Sequence, residues 1–133
     1  EGVVAAPEIP GAEEFLRRWH GRVPLFVDSA TPDLELATIL KRRGLDGLFS
    51  AAYGSNRTKA NNLAAILGGG GYDPELVLFI GDALSDYAAA QACGTAFLGI
   101  VREPDSPLLA VEPPVAWRTD FYEVEDYING AFG

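Results

Sequence analysis

Leu76-Val77-Leu78-Phe79-Ile80 is the segment that most narrows what this chain can fold into. Five apolar residues in a row, bounded by Pro74 and Gly81, show no polar alternation, so the strand they form is covered on both faces. Leu25-Phe26-Val27 after Pro24 repeats the pattern, and residues 96–101 and 48–53 read as two further strands. Helical periodicity fills the intervals. Residues 11–20 place Phe15, Leu16 and Trp19 on one face. Thr31-Pro32 predicts an N-cap followed by proline at the first helical position, with Leu34, Ala37, Ile39 and Leu40 as the apolar stripe and Lys41-Arg42-Arg43-Gly44 at the helix end. Residues 58–67, 85–93 and 123–129 complete the helices, and the glycines at 68–71 read as a helix stop and turn. Trp19 and Trp117 read as core anchors, and Cys93 as a small core residue. The alternation predicts a three-layer α/β/α Rossmann-like parallel sheet, a single domain over residues 1–133. In such sheets ligands bind beyond the carboxyl ends of the strands.

Composition excludes several classes of function. Ten Lys and Arg against nineteen Asp and Glu give a net charge of −9, which repels nucleic-acid backbones. A single cysteine and a single histidine exclude an internal disulfide and a histidine-rich zinc site. The longest uncharged stretch, residues 87–101, is 15 residues and is interrupted by polar residues and glycine, too short to span a membrane. No basic start precedes an apolar run at the N-terminus, so a cytoplasmic protein is expected. The chain holds no methionine and begins at Glu1, so a longer parent protein is also expected.

Three places at strand ends could carry chemistry. After Ile80, Gly81-Asp82-Ala83-Leu84-Ser85-Asp86 sets two acids four residues apart at a strand-to-helix junction. Asp82 and Asp86 could hold a hard cation such as Mg2+; alternatively Ser85 caps the helix and Asp86 complements its dipole. After Val27, Asp28-Ser29-Ala30-Thr31 puts a hydroxyl and free helix-start amides where a phosphate oxygen could sit, or merely caps a helix. Lys59 opens a helix, where a cation opposes the dipole; local propensity does not account for it.

In this order, Phe26-Val27-Asp28-Ser29-Ala30-Thr31-Pro32, Tyr53-Gly54-Ser55-Asn56-Arg57-Thr58-Lys59 and Leu78-Phe79-Ile80-Gly81-Asp82-Ala83-Leu84-Ser85-Asp86-Tyr87 resemble the haloacid dehalogenase superfamily, most closely its phosphoglycolate-phosphatase-like branch. The likeness runs from about residue 10 to residue 100. It implies hydrolysis of a small phosphate monoester through an aspartyl-phosphate. Ser29 would then be the catalytic hydroxyl that binds the phosphoryl oxygens with the Ala30 backbone. Lys59 would neutralise charge, and Asp82 and Asp86 would hold Mg2+.

The family's first motif, an Asp-x-Asp pair on the strand between those of the second and fourth motifs, has no counterpart here. Asp28 is rejected as that nucleophile, because 53 residues separate it from Asp82 and Ala30 stands where the acid/base belongs. The expectation is therefore the C-terminal part of a core domain, its sheet incomplete at the N-terminus and lacking the nucleophile strand and any cap. Without that strand, two strand edges would lose their backbone partners. Residues 2–6, a second chain or a missing N-terminal segment should fill the gap. Two alternatives stand beside the phosphatase core: a catalytically inactive remnant that binds phosphate or a protein partner, and a phospho-receiver-like module, for which the required acids are not seen.

Overall fold

The computed structural model describes residues 2–5 and 11–131. Six parallel strands form one sheet: β1 (Gly2–Ala5), β2 (Leu25–Asp28), β3 (Ala51–Tyr53), β4 (Val77–Gly81), β5 (Ala96–Ile100) and β6 (Trp117–Arg118). Their order is β3-β2-β1-β4-β5-β6. The gap foreseen in mid-sheet is closed by the chain itself: Val3 and Val4 pair with Leu25 and Phe26 on one side, and with Leu78 and Phe79 on the other. Residue 6 of that expected segment lies outside the described residues.

Five helices cover the sheet: α1 (Ala12–Trp19), α2 (Asp33–Arg42), α3 (Lys59–Gly70), α4 (Leu84–Cys93) and α5 (Val124–Ala131). Alternate strand residues supply the two faces, as the pleat dictates. Val3, Leu25, Leu78 and Ile80 pack under Phe15, Leu16 and Trp19 of α1 and Val124 and Ile128 of α5. Val4, Phe26, Val77 and Phe79 pack under Leu63 and Ile66 of α3 and Ala89 and Ala90 of α4. Val27 joins Leu36 and Leu40 of α2. This two-sided burial is why β2 and β4 are apolar almost throughout.

Four local readings are corrected. α2 begins at Asp33 with Pro32 at the cap, and it buries Leu36 and Leu40, one turn apart; Leu34 and Ala37 are exposed. Gly68–Gly70 continue α3, which stops only at Gly71 in the left-handed region (φ 64°), where no Cβ penalty applies. The strand expected at 48–53 shortens to β3, because Asp46–Leu48 forms a 3-10 turn. Trp117 lies on the edge strand β6, 42% exposed, whereas Trp19 is in the core.

Candidate functional site

The strand order reverses between β1 and β4, and a doubly wound sheet opens its ligand crevice beyond the strand ends at that point. The buried polar residues of the described chain are Asp28, Ser29, Asn62 and Asp86, and all four come from the elements flanking this crevice. Asp28 is the last residue of β2. Ser29 follows it, its N–H donating to the Tyr53 carbonyl (3.0 Å) and its Oγ accepting from Thr31 N (3.1 Å). The Ser29 hydroxyl proton remains available for a ligand oxygen.

The loop after β3 is laced to the loop after β2. Gly54 N donates to Asp33 Oδ1 (2.8 Å), Ser55 N to the Thr31 carbonyl (2.9 Å) and Asp33 N to Asn56 Oδ1 (3.1 Å). A Cβ at Gly54 would lie 2.3 Å from the Thr31 oxygen, so only glycine permits this approach. The lacing delivers Thr58, whose hydroxyl caps α3 by accepting from Asn61 N (3.1 Å), and with it Lys59.

Lys59 Nζ donates to Asp86 Oδ1 at 2.6 Å, which supplies the counter-charge that a lysine at a helix start lacks. Asp86 Oδ2 accepts from Ala83 N (3.1 Å), turning the side chain back over the first turn of α4. Gly81 makes that seat possible, since a Cβ there would stand 2.4 Å from Asp86 Cγ. One turn beyond Lys59, Asn62 Nδ2 donates to Asp28 Oδ1 and to the Gly54 carbonyl, both at 2.9 Å. Asp28 Oδ2 is buried without a partner. Burial pushes the Asp28 carboxyl up to about 6; the Asn62 bond and the Lys59 charge pull it down, and Asp86 pushes it further up. Burial, with a smaller contribution from Asp28, also raises the Cys93 thiol, which packs beside the core as a structural residue.

Beside this cluster lies an open hollow of about 530 Å³ between the starts of α3 and α4. Ser29, Ala30, Ser55, Arg57, Thr58, Lys59 and Ser85 line it at the sheet end, and Ala60, Ala88, Ala89 and Ala92 line it further along the helices. Of the residues singled out in the sequence, Ser29, Ala30 and Lys59 therefore meet around one space, and Asp86 touches it through Lys59. Asp82 is exposed and lines no part of it. Sequence reasoning passed over Asn62 and the structural place of Asp28. Both left a signal: an acid ending an apolar strand, and a polar side chain three residues after Lys59 on the same helix face.

Magnesium was expected at Asp82 and Asp86. Both Asp86 oxygens already accept from protein donors, Asp82 is exposed, and among the described residues no three His, Cys, Asp or Glu side chains cluster as metal ligands. The described residues thus do not fit a Mg2+ site of their own.

No protein-family model matches this sequence, and no curated protein does. Solved structures match well. A haloacid dehalogenase-superfamily hydrolase (subfamily IA, variant 1) of Geobacter sulfurreducens is 26% identical with a TM-score of 0.73, over 90% of this chain and 55% of its own. A protein of Haemophilus somnus assigned as a phosphoglycolate phosphatase is 24% identical with a TM-score of 0.77, over 90% and 56%. A haloacid dehalogenase-type hydrolase of Bacillus subtilis, solved bound to magnesium, is 17% identical with a TM-score of 0.78, over 91% and 56%. The chain spans little more than half the length of these proteins. No helix among the described residues is long and apolar enough to cross a membrane. The sheet order and these neighbours together give this chain the α/β core fold of the haloacid dehalogenase superfamily hydrolases.

Proposed function

We propose that the hollow beside Lys59 receives the phosphate group of a small phosphate monoester, and that this chain by itself binds that group without forming an aspartyl-phosphate. The observation that carries the reading is Lys59: a cation held by Asp86 at the switch point of the sheet, lining a hollow with Arg57 and four hydroxyl side chains. Cations, hydroxyl donors and the free N–H groups at the start of α3 are what a phosphate dianion requires. Ser29 and Thr58 would orient the phosphoryl oxygens, Ala30 would offer its backbone, and Lys59 and Arg57 would balance the charge.

The covalent path needs a carboxylate at the end of the central strand. That strand is β1, which ends at Ala5 with Ala6 next in sequence. Asp28, one strand over, does not line the hollow. With p-nitrophenyl phosphate, the chain should release no nitrophenolate above buffer, and intact mass should show no phosphoryl adduct. Steady turnover that is lost in Lys59→Met would overturn the non-covalent reading.

A second reading is favoured by the coverage of just over half of the related hydrolases. In it the chain is the C-terminal part of a Mg2+-dependent phosphatase core acting in the cytoplasm. A strand from outside these residues, carrying the nucleophilic acid and the remaining metal ligand, would take the mid-sheet place that β1 fills here. A longer polypeptide that hydrolyses p-nitrophenyl phosphate, where this chain does not, would select it.

A further inference from the structure

We infer that Lys59 serves the hollow in place of a divalent cation, so that a phosphate group binds there without Mg2+. The inference rests on the phosphate-binding reading and concerns how charge is balanced at that same site.

Asp86 is the carboxylate best placed to anchor a metal, buried and one turn past the end of β4. Its Oδ1 is held by the Lys59 ammonium at 2.6 Å and its Oδ2 by the Ala83 amide at 3.1 Å. The ion pair is shielded from water, with side-chain exposures of 20% for Lys59 and 5% for Asp86. A metal at Oδ1 would have to displace the ammonium from that shielded contact and leave it beside a second positive charge. Asp28, the other buried acid, has Oδ1 committed to Asn62 and Oδ2 without a partner, but it does not line the hollow. A hard cation is usually anchored by one or two free carboxylates plus waters and substrate oxygens, and Asp86, the buried acid in contact with the hollow's Lys59, is already paired. The surface offered to an anion is already positive: Lys59, Arg57 and the N-terminal turn of a 12-residue helix.

Calorimetric titration of inorganic phosphate into the chain tests this, once in EDTA and once in excess MgCl2, with MgCl2 alone as a third arm. The expected result is a dissociation constant equal in the two buffers within about twofold, and no heat from Mg2+ alone. Binding at least about tenfold tighter with Mg2+ would overturn the inference while leaving the phosphate reading intact. Absence of binding in both buffers would instead bring down the phosphate reading, and this inference with it. Lys59→Met should weaken binding at least about tenfold in EDTA, and unchanged affinity would remove Lys59 from the role. Should that variant fail to fold, the wild-type comparison between buffers decides alone.

Discussion

Replacing Asp28 by Asn should stabilise the protein at neutral pH, although it alters a buried, hydrogen-bonded side chain. Asp28 is 2% exposed, Asn62 serves its Oδ1, and its Oδ2 has no partner. Burial raises its carboxyl from 3.8 to about 6. A raised acid means that the folded state holds the proton more tightly than the unfolded state. The stability from this site is therefore fully present below about pH 4 and is lost as pH rises through about 6. The difference of roughly two units corresponds to a ceiling of about 3 kcal/mol at neutral pH. Screening by water at the nearby hollow brings the expected gain in Asp28→Asn to about 1–2 kcal/mol. Asparagine keeps an acceptor for Asn62 and removes the charge that burial penalises. Urea unfolding of both proteins between about pH 4 and about pH 8 measures it: the gap should open as pH rises and level off above about 7. A variant less stable at every pH, with a curve parallel to wild type, would refute the reasoning.

Other outcomes follow from the same contacts. Asn62→Leu removes the strongest influence lowering the Asp28 carboxyl, so its midpoint in carboxyl 13C NMR should rise above about 6; an unchanged midpoint would contradict the bond's role. Gly81→Ala places a methyl 2.4 Å from Asp86 Cγ and should cost about 2–3 kcal/mol in urea unfolding while displacing the Lys59 contact; a neutral effect would mean that Asp86 sits elsewhere. Val4→Ala empties a fully buried site at the middle of the sheet and should cost about 2–3 kcal/mol, with faster amide exchange in β2 and β4; a silent variant would show that β1 does not occupy mid-sheet.

The sheet was legible because strands buried on both faces cannot hide their apolar runs. Leu25–Val27 and Leu76–Ile80 mark β2 and β4 to within one residue. The missing mid-sheet partner followed from the resemblance, which implies a strand between β2 and β4, and Gly2–Ala5 supplies it. Helix boundaries were less legible where propensity and packing disagree. Glycine discourages helix, yet Gly68–Gly70 remain helical because the left-handed cap falls only at Gly71. Leu34 falls in the sequence's apolar stripe, but the start of α2 turns it outward and commits Leu36 and Leu40 to the core. At the site, Ser29, Ala30 and Lys59 were legible from their places at strand and helix ends. The Asn62 bridge was not, because its place three residues after Lys59 gives only the helix face, whereas the bond to Asp28 joins residues 34 apart in sequence. The pairing of Asp86 with Lys59 instead of with Asp82 depends on how α3 and α4 abut, which only packing decides.

Amide NMR during a titration with inorganic phosphate tests the central claim most directly. The account predicts saturable shifts confined to Ser29, Ala30, Thr58, Lys59, Ala60 and Ser85 at the carboxyl edge of the sheet, and lost in Lys59→Met. Shifts centred instead on the hollow lined by His20, Arg22 and Ser50 at the opposite edge, or no saturable shift anywhere, would contradict it.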